Sequence, residues 1–289
     1  MDEFLFLSLP PMVIASFAAI ACALPGNFLV LSRRAMLGDA MSHVVLPGIV
    51  VAFLLTGSGN GVVMGAGALV AAGFSALLIE VVTRRAHMEP GAAMAVVFTT
   101  MFAAGVVLLE MTGTSGIHLD VEHALYGNLE SLIWLAGPPP ELLRLGLIAS
   151  VLAGALALVW RPLVMATFDP VFAQTQGIPV GWLRTGLTAA TALAAVAAFQ
   201  AVGSILTIAM LICPAAAARL LTRRLPTQLA VSLGLAVTSA VLGYVLAGYV
   251  PLWLGLPFTL SASGMIATVA GLLLAAAALM TSHRQHAGL

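Results

Sequence analysis

The sequence predicts an all-α protein, a polytopic membrane bundle of eight or nine transmembrane helices, with nine the better count. Three observations carry this. First, 61% of the 289 residues are hydrophobic and 8% are charged, too little charge to cover the surface of a soluble domain of that length. Second, apolar runs fall near residues 11–31, 36–56, 62–82, 91–111, 142–160, 185–201, 204–221, 227–248 and 259–281, each close to the length needed to cross a hydrocarbon core about 30 Å thick. Third, with the N-terminus outside, Arg33, Arg34, Arg84, Arg85, Arg161, Arg184, Arg219, Arg223, Arg224 and Arg284 fall on the cytosolic side, and Arg144 alone falls outside. That asymmetry sets orientation. The C-terminus is then cytosolic, and residues 1–289 read as a single transmembrane domain. Merging two runs at the short turns near Gly57 to Gly61 or near Gly203 would leave eight spans.

Composition also excludes functions. All eleven basic residues are arginine. A Walker A phosphate loop requires a lysine, so this chain does not hydrolyse ATP by that route, and any ATPase is a separate subunit. A formal net charge of zero gives no sign of a nucleic-acid partner. Cys22 and Cys213 lie in apolar runs, where they read as small buried hydrophobes and give no disulfide framework. The opening MDEFLFLSLPP is acidic where a signal peptide is basic, so it is expected to remain as a short surface segment.

Within the first span, Pro25, Gly26 and Asn27 interrupt the apolar run and read as a kink with room for close packing. The second span carries the residues that organise the functional reading, in RRAMLGDAMSHVVLPGIVVAF from Arg33 to Phe53. Asp39 and His43 are four apart, so in a helix they share a face, one turn from each other. At about 1.5 Å per residue from Arg34, Asp39 lies roughly 7 Å and His43 roughly 13 Å inward, the latter approaching the midplane. Ionisable groups at such depth are costly and mark polar transport paths. A carboxylate and an imidazole also suit a first-row divalent ion. Taken singly, Asp39 reads equally well as a helix N-cap and His43 as a partner for a neighbouring carbonyl. The pair, with Ser42 beside it and Pro47-Gly48 one turn on, favours a transport role, because a proline break is tolerated in a membrane only where protein or a wet cavity satisfies the backbone.

The third span has one charge, Glu80, placed for an interfacial ion pair with Arg84 and Arg85. Before the fourth span, Glu89 favours the helix dipole, and His87 reads as a solvated loop residue. The outer loop between Met111 and Glu141 contains HLDVEH. His118, Asp120, Glu122 and His123 are ligand types and weaker metal candidates, although a solvated loop has the same composition.

After the fifth span, residues 162–184 form a legible cytosolic segment. Asp169 suits an N-cap, Pro170 the first helical position, and Gly177 a terminator with Pro179 behind it. The result is a helix of about two turns, too short to be stable alone. It needs something to pack against, and Val171 and Phe172 are available to a partner subunit. The sixth span is rich in small residues that permit tight contact. Its Gln200 either hydrogen-bonds at the outer turn or faces the pathway. Pro214 reads as a kink in the seventh span. The last two spans, separated by GYVPLWLGLP, read as structural, and His283 and His286 in the tail as solvated and frayed.

LSRRAMLGDAMSHVVLPGIVVAF, YGNLESL, TFDPVFAQTQGIPVGWL and AVGSILTIAMLICPAAAARLL resemble the characteristic segments of ABC-transporter permeases of the zinc/manganese/iron uptake family. The GDAxSHxxLPG pattern is specific, and the resemblance covers nearly the whole chain. It implies a permease that pairs as a homodimer, or as a heterodimer with a second permease, around a pore in the bacterial plasma (inner) membrane. Two cytosolic ABC ATPase subunits would hold the ATP and drive it, and an extracytoplasmic solute-binding protein would deliver Mn²⁺, Zn²⁺ or Fe²⁺. No cofactor would be bound permanently, and the remaining partner is membrane lipid. Asp39 and His43 match the positions that contact the ion, and the helix after Asp169 matches the coupling helix seated on the ATPase, with Asp169, Pro170, Val171, Phe172 and Gly177 as its residues.

Rival readings are a proton-coupled secondary metal transporter and a permease for a metal chelate. Against the first stand the lack of a detectable inverted repeat and the cytosolic docking helix. An intramembrane metalloenzyme would need a fuller ligand set with a general base, such as HExxH, and none occurs.

Overall fold

The computed structural model describes residues 8–57, 60–111, 129, 140–253, 255 and 260–286. Nine helices among them are long and apolar enough to cross a membrane. In chain order the helices are α1 (Leu9–Leu31), α2 (Met36–Thr56), α3 (Gly61–Arg85), α4 (Pro90–Met111), α5 (Pro140–Leu158), α6 (Trp160–Phe168), α7 (Pro170–Thr175), α8 (Val180–Val202), α9 (Ser204–Leu221), α10 (Leu225–Trp253) and α11 (Ala262–His286). No strand occurs among the described residues. The described residues form a helical bundle with these nine candidate spans, and α6 and α7 are short helices between the fifth and sixth of them.

Local chemistry sets the turns. Gly57 closes α2 in the left-handed conformation and donates to the Phe53 carbonyl at 2.8 Å. Asn60 caps α3 by accepting from the Val62 N–H at 3.0 Å. A single residue, Gly203 at φ 82°, separates α8 from α9, a backbone conformation that glycine adopts without strain. The Ser263 hydroxyl of α11 donates to the Val202 carbonyl there at 2.9 Å, tying the end of α8 to the bundle.

Several boundaries differ from the sequence reading. α8 begins at Val180 rather than near 185, and α10 runs through Pro251 to Trp253 rather than ending near 248. Pro251 lies in the last turn of α10, so the proline removes little of the helical ladder. Residues 160–168 form α6, which apolar length alone did not separate from the fifth span. The tail is helical through His286. The acidic opening residues 1–7 fall outside the described residues.

α1 and α2 are the most buried spans. α1 packs on α5, α8, α9 and α10, and α2 on α3, α4, α8 and α9, so these helices form the centre of the bundle. Apolar surface alone does not drive helices together in lipid, and small residues take over that role. A Cβ on Gly26 would collide with the Leu211 carbonyl of α9, and one on Gly48 would lie 2.6 Å from the Ala68 Cα of α3.

Buried polar groups supply the second kind of contact. Asn27 donates to the Ala23 carbonyl at 2.7 Å and to the Ser232 hydroxyl at 3.0 Å, and accepts from Gln228 at 3.2 Å. Asn27 is thus a joint between α1 and α10. Near the outer end, Arg144 of α5 donates to the Gln200 side-chain oxygen of α8. That contact realises the hydrogen-bonding alternative for Gln200.

Gly26→Ala is expected to lower stability by about 2 kcal/mol through overpacking against Leu211. Gly234→Ala in α10, where a Cβ meets nothing within 4 Å, is expected to be neutral or to stabilise by up to about 1 kcal/mol. Thermal unfolding of the purified variants in detergent checks both.

Candidate functional site

α2 presents a different neighbour on each face. Toward α9, Gly38 lets Leu211 approach to 3.0 Å from where a Cβ would stand, and Met41 is fully buried. Toward α3, Gly48 and Ala68 are nearly in backbone contact. Toward α4, Pro47 meets Gly105, where a Cβ would lie 2.8 Å from the proline Cβ. That approach brings the α4 aromatics Phe98 and Phe102 onto His43.

Asp39, His43 and Pro47 follow one another at four-residue spacing on α2, and His43, like Pro47, meets α4. The His43 Nε2 lies 3.3 Å from the Asp39 Oδ1, with the side chains 29% and 33% exposed respectively. Both side chains are therefore part-exposed. The imidazole stacks on Phe98, with ring centroids 5.4 Å apart and planes at 16°, and meets Phe102 edge-on at 5.5 Å and 74°. α2 starts at Met36 behind Ala35, so Asp39 stands within the first turn and is not the N-cap. The helix dipole favours a carboxylate in the first turn. His43 lies about 4.5 Å on the cytosolic side of Leu46, the middle residue of the helix.

Phe98 and Phe102 were not singled out from sequence. Two phenylalanines four apart on an apolar span look the same whether they face lipid or a histidine. No group of three or more His, Cys, Asp or Glu side chains occurs among the described residues. Asp39 and His43 thus bring together one oxygen-donor and one nitrogen-donor side chain among the described residues, fewer than the four to six ligands that transition-metal ions commonly take. His118, Asp120, Glu122 and His123 lie outside the described residues.

The segment after the fifth span has the helix ends that its residues suggest. Asp169 accepts from the Phe172 N–H at 2.9 Å and caps α7, with Pro170 as the first helical residue. Gly177, at φ 75°, ends the unit and donates to the Gln174 carbonyl at 3.0 Å. Ala173 is fully buried with Ala166 and Val180, which holds α7 against α6 and the start of α8. Val171 is 71% exposed and Phe172 49%, with Phe168 and Trp182 exposed nearby. These four exposed apolar side chains all lie within residues 168–182.

The model of the ABC 3 transport family matches residues 2–281. The chain belongs to that family. It is 39% identical over 269 residues to the manganese transport system membrane protein MntD of Bacillus subtilis, covering 91% of this chain and 88% of that protein. It is 36% identical over 232 residues to the chelated iron transport system membrane protein YfeD of Yersinia pestis, covering 80% and 74%. Among solved structures, PsaBC from Streptococcus pneumoniae in complex with Fab superposes with a TM-score of 0.79 at 24% identity, covering 96% of this chain and 93% of that one. At that identity the likeness establishes the fold. The chain is a multi-pass membrane permease of an ABC transport system, and not its ATP-hydrolysing subunit.

Asp169→Ala is expected to remove the cap and cost α7 about 1 kcal/mol of local stability. Hydrogen exchange should quicken over residues 170–177 and stay unchanged in α1 and α2.

Proposed function

We propose that this chain is the membrane-spanning subunit of an ATP-driven importer of a divalent transition-metal ion, manganese, iron or zinc, in a bacterial inner membrane. The observation that carries this reading is the part-open Asp39–His43 pair on α2, the one place among the described residues where a carboxylate and an imidazole meet in a membrane span. Relatives named for manganese and chelated-iron transport support the cargo class.

The chemistry follows from what one chain lacks. Two ligands leave the coordination shell incomplete. A second permease, either another copy of this chain or a close relative, would bring a second Asp and His to the pore axis. The resulting mixed oxygen and nitrogen set suits a first-row ion. Conduction needs a site firm enough to admit the ion and weak enough to release it. Part-exposed ligands from two chains that move relative to each other meet that requirement better than a closed cage. A bare ion also fits better than a chelate, which arrives with its ligand positions filled.

Within this reading, residues 162–184 are the coupling segment. A cytosolic ATPase dimer would seat on Val171 and Phe172, while Asp169, Pro170 and Gly177 hold the shape of α7. An extracytoplasmic solute-binding protein would load the ion at the outer face.

The test is reconstitution with the candidate ATPase and solute-binding protein, measuring metal-stimulated ATP hydrolysis and uptake with manganese, zinc and ferrous iron. Asp39→Ala should lower uptake by more than about tenfold while the complex still assembles, since a part-exposed pair contributes no more than about 1 kcal/mol to stability. Loss of the complex itself would mean a structural role for Asp39, and uptake that followed a proton gradient without any ATPase would favour a secondary transporter. Phe172→Ser should leave basal ATP hydrolysis intact and abolish its stimulation by metal.

A further inference from the structure

At the cytosolic face, the turn after α1, the start of α2, α6, the first residue of α7 and the start of α8 enclose a cavity of about 190 Å³. Arg34 and Arg184 both line it, with Ser32 and Thr188 beside them and Leu37 and Leu187 among its apolar walls. The hydroxyls are already engaged. Ser32 donates to the Phe28 carbonyl at 2.7 Å and Thr188 to the Arg184 carbonyl at 3.0 Å. The cavity's strong donors are therefore its guanidinium groups.

Two like charges facing one cavity repel unless something negative lies between them. Burial, and then the Arg184 charge, push the Arg34 guanidinium below its ordinary pKa, and Glu80 on α3 offsets this in part. Arginine stays charged through such a shift, because its ordinary value is so high. The cost of holding the pair together persists at every physiological pH.

We propose that this cavity is a binding site for a phosphate oxyanion, supplied by the headgroup of an anionic phospholipid of the cytosolic leaflet. Planar guanidinium groups bind phosphate through paired N–H donors. Basic pockets between membrane helices on the cytosolic side suit anionic headgroups. The leucine walls favour a lipid over free phosphate, and so does Trp182, 80% exposed two residues from Arg184, where an interfacial aromatic belongs. The cavity also joins two functional parts of the chain. Arg34 and Leu37 stand at the root of α2, just before Asp39, and Pro170 begins α7. The binding claim itself is independent of the transport reading.

The test uses the full chain in nanodiscs of phosphatidylcholine with and without phosphatidylglycerol, read by native mass spectrometry of retained lipid and by thermal unfolding. Wild type should retain phosphatidylglycerol preferentially and unfold at a higher temperature in its presence. Arg184→Gln, at an exposed position that tolerates change, should cut that preference about fivefold, the effect of one basic group near an anionic surface. Arg34→Gln should do the same, and Arg219→Gln, on another part of the cytosolic face, should leave it intact. Stabilisation by inorganic phosphate in phosphatidylcholine discs, lost in Arg184→Gln, would keep the oxyanion site and make free phosphate its source. A preference unchanged in both cavity variants, or lowered equally by Arg219→Gln, overturns the proposal. So does an Arg184→Gln defect confined to ATPase assembly, which would mean that an acidic side chain of the partner fills the cavity.

Discussion

The backbone-close packing of α2 against α3, α4 and α9 is the constraint on which the rest of the structure depends. Gly48 and Gly105 each stand where a side chain would push a neighbouring helix away, and Gly38 leaves room for the Leu211 side chain. In lipid no hydrophobic force draws the helices back, so separation would be a lasting loss of contact. The packing also sets what surrounds the Asp39–His43 pair, because Pro47 resting on Gly105 fixes the height of α4 at which Phe98 stacks on the imidazole.

Polar groups within the spans fall into two kinds, and structure separates them where sequence does not. Asn27, Ser232 and Gln228 are fully buried and bonded to one another. Arg144 and Gln200 are paired at the outer end of the bundle. Both sets spend their hydrogen bonds on joining helices, as polar groups in lipid must. Asp39 and His43 differ, because each keeps part of its surface outside the core while pairing with the other. A pair that is costly to place in a membrane and yet left partly open is the arrangement expected of a transport site.

Much of the bundle was legible in the sequence, because a membrane span is specified by apolar length and its direction by arginine placement. The length signal is long and redundant, and it gave the nine candidate spans found among the described residues. Boundaries set by a few residues were less legible. The fifth span was placed to end near 160, but the separate helix from Trp160 to Phe168 was not foreseen, because no cap or break residue marks its start. The α7 unit was clear because Asp169, Pro170 and Gly177 each have one dominant use at a helix end. The Asp39–His43 spacing was equally clear, since a four-residue separation has one geometry in a helix. The Phe98 wall and the facing of Arg34 by Arg184 were hidden, because they depend on which helices become neighbours.

The proposed importer needs a mechanical link between its cytosolic segment and the ion path, and α8 provides a physical candidate. At its cytosolic end, Val180 packs with Ala173 of α7 and Ala166 of α6. Further along the same helix, Val196 and Phe199 pack with Val45 of α2 and Ala68 of α3. Val45 is two residues beyond His43. A helix of 23 residues is stiff over about 34 Å, so displacement of α7 tilts or shifts α8 as a unit instead of being absorbed along it. Because α2 is already in close contact with α3 and α4, it has little room to deform locally and must move with its packing partners. In the proposed importer, a small movement at α7 would then change the separation between the Asp39–His43 pair of one permease and that of its partner, and this separation would decide whether an ion is held or released.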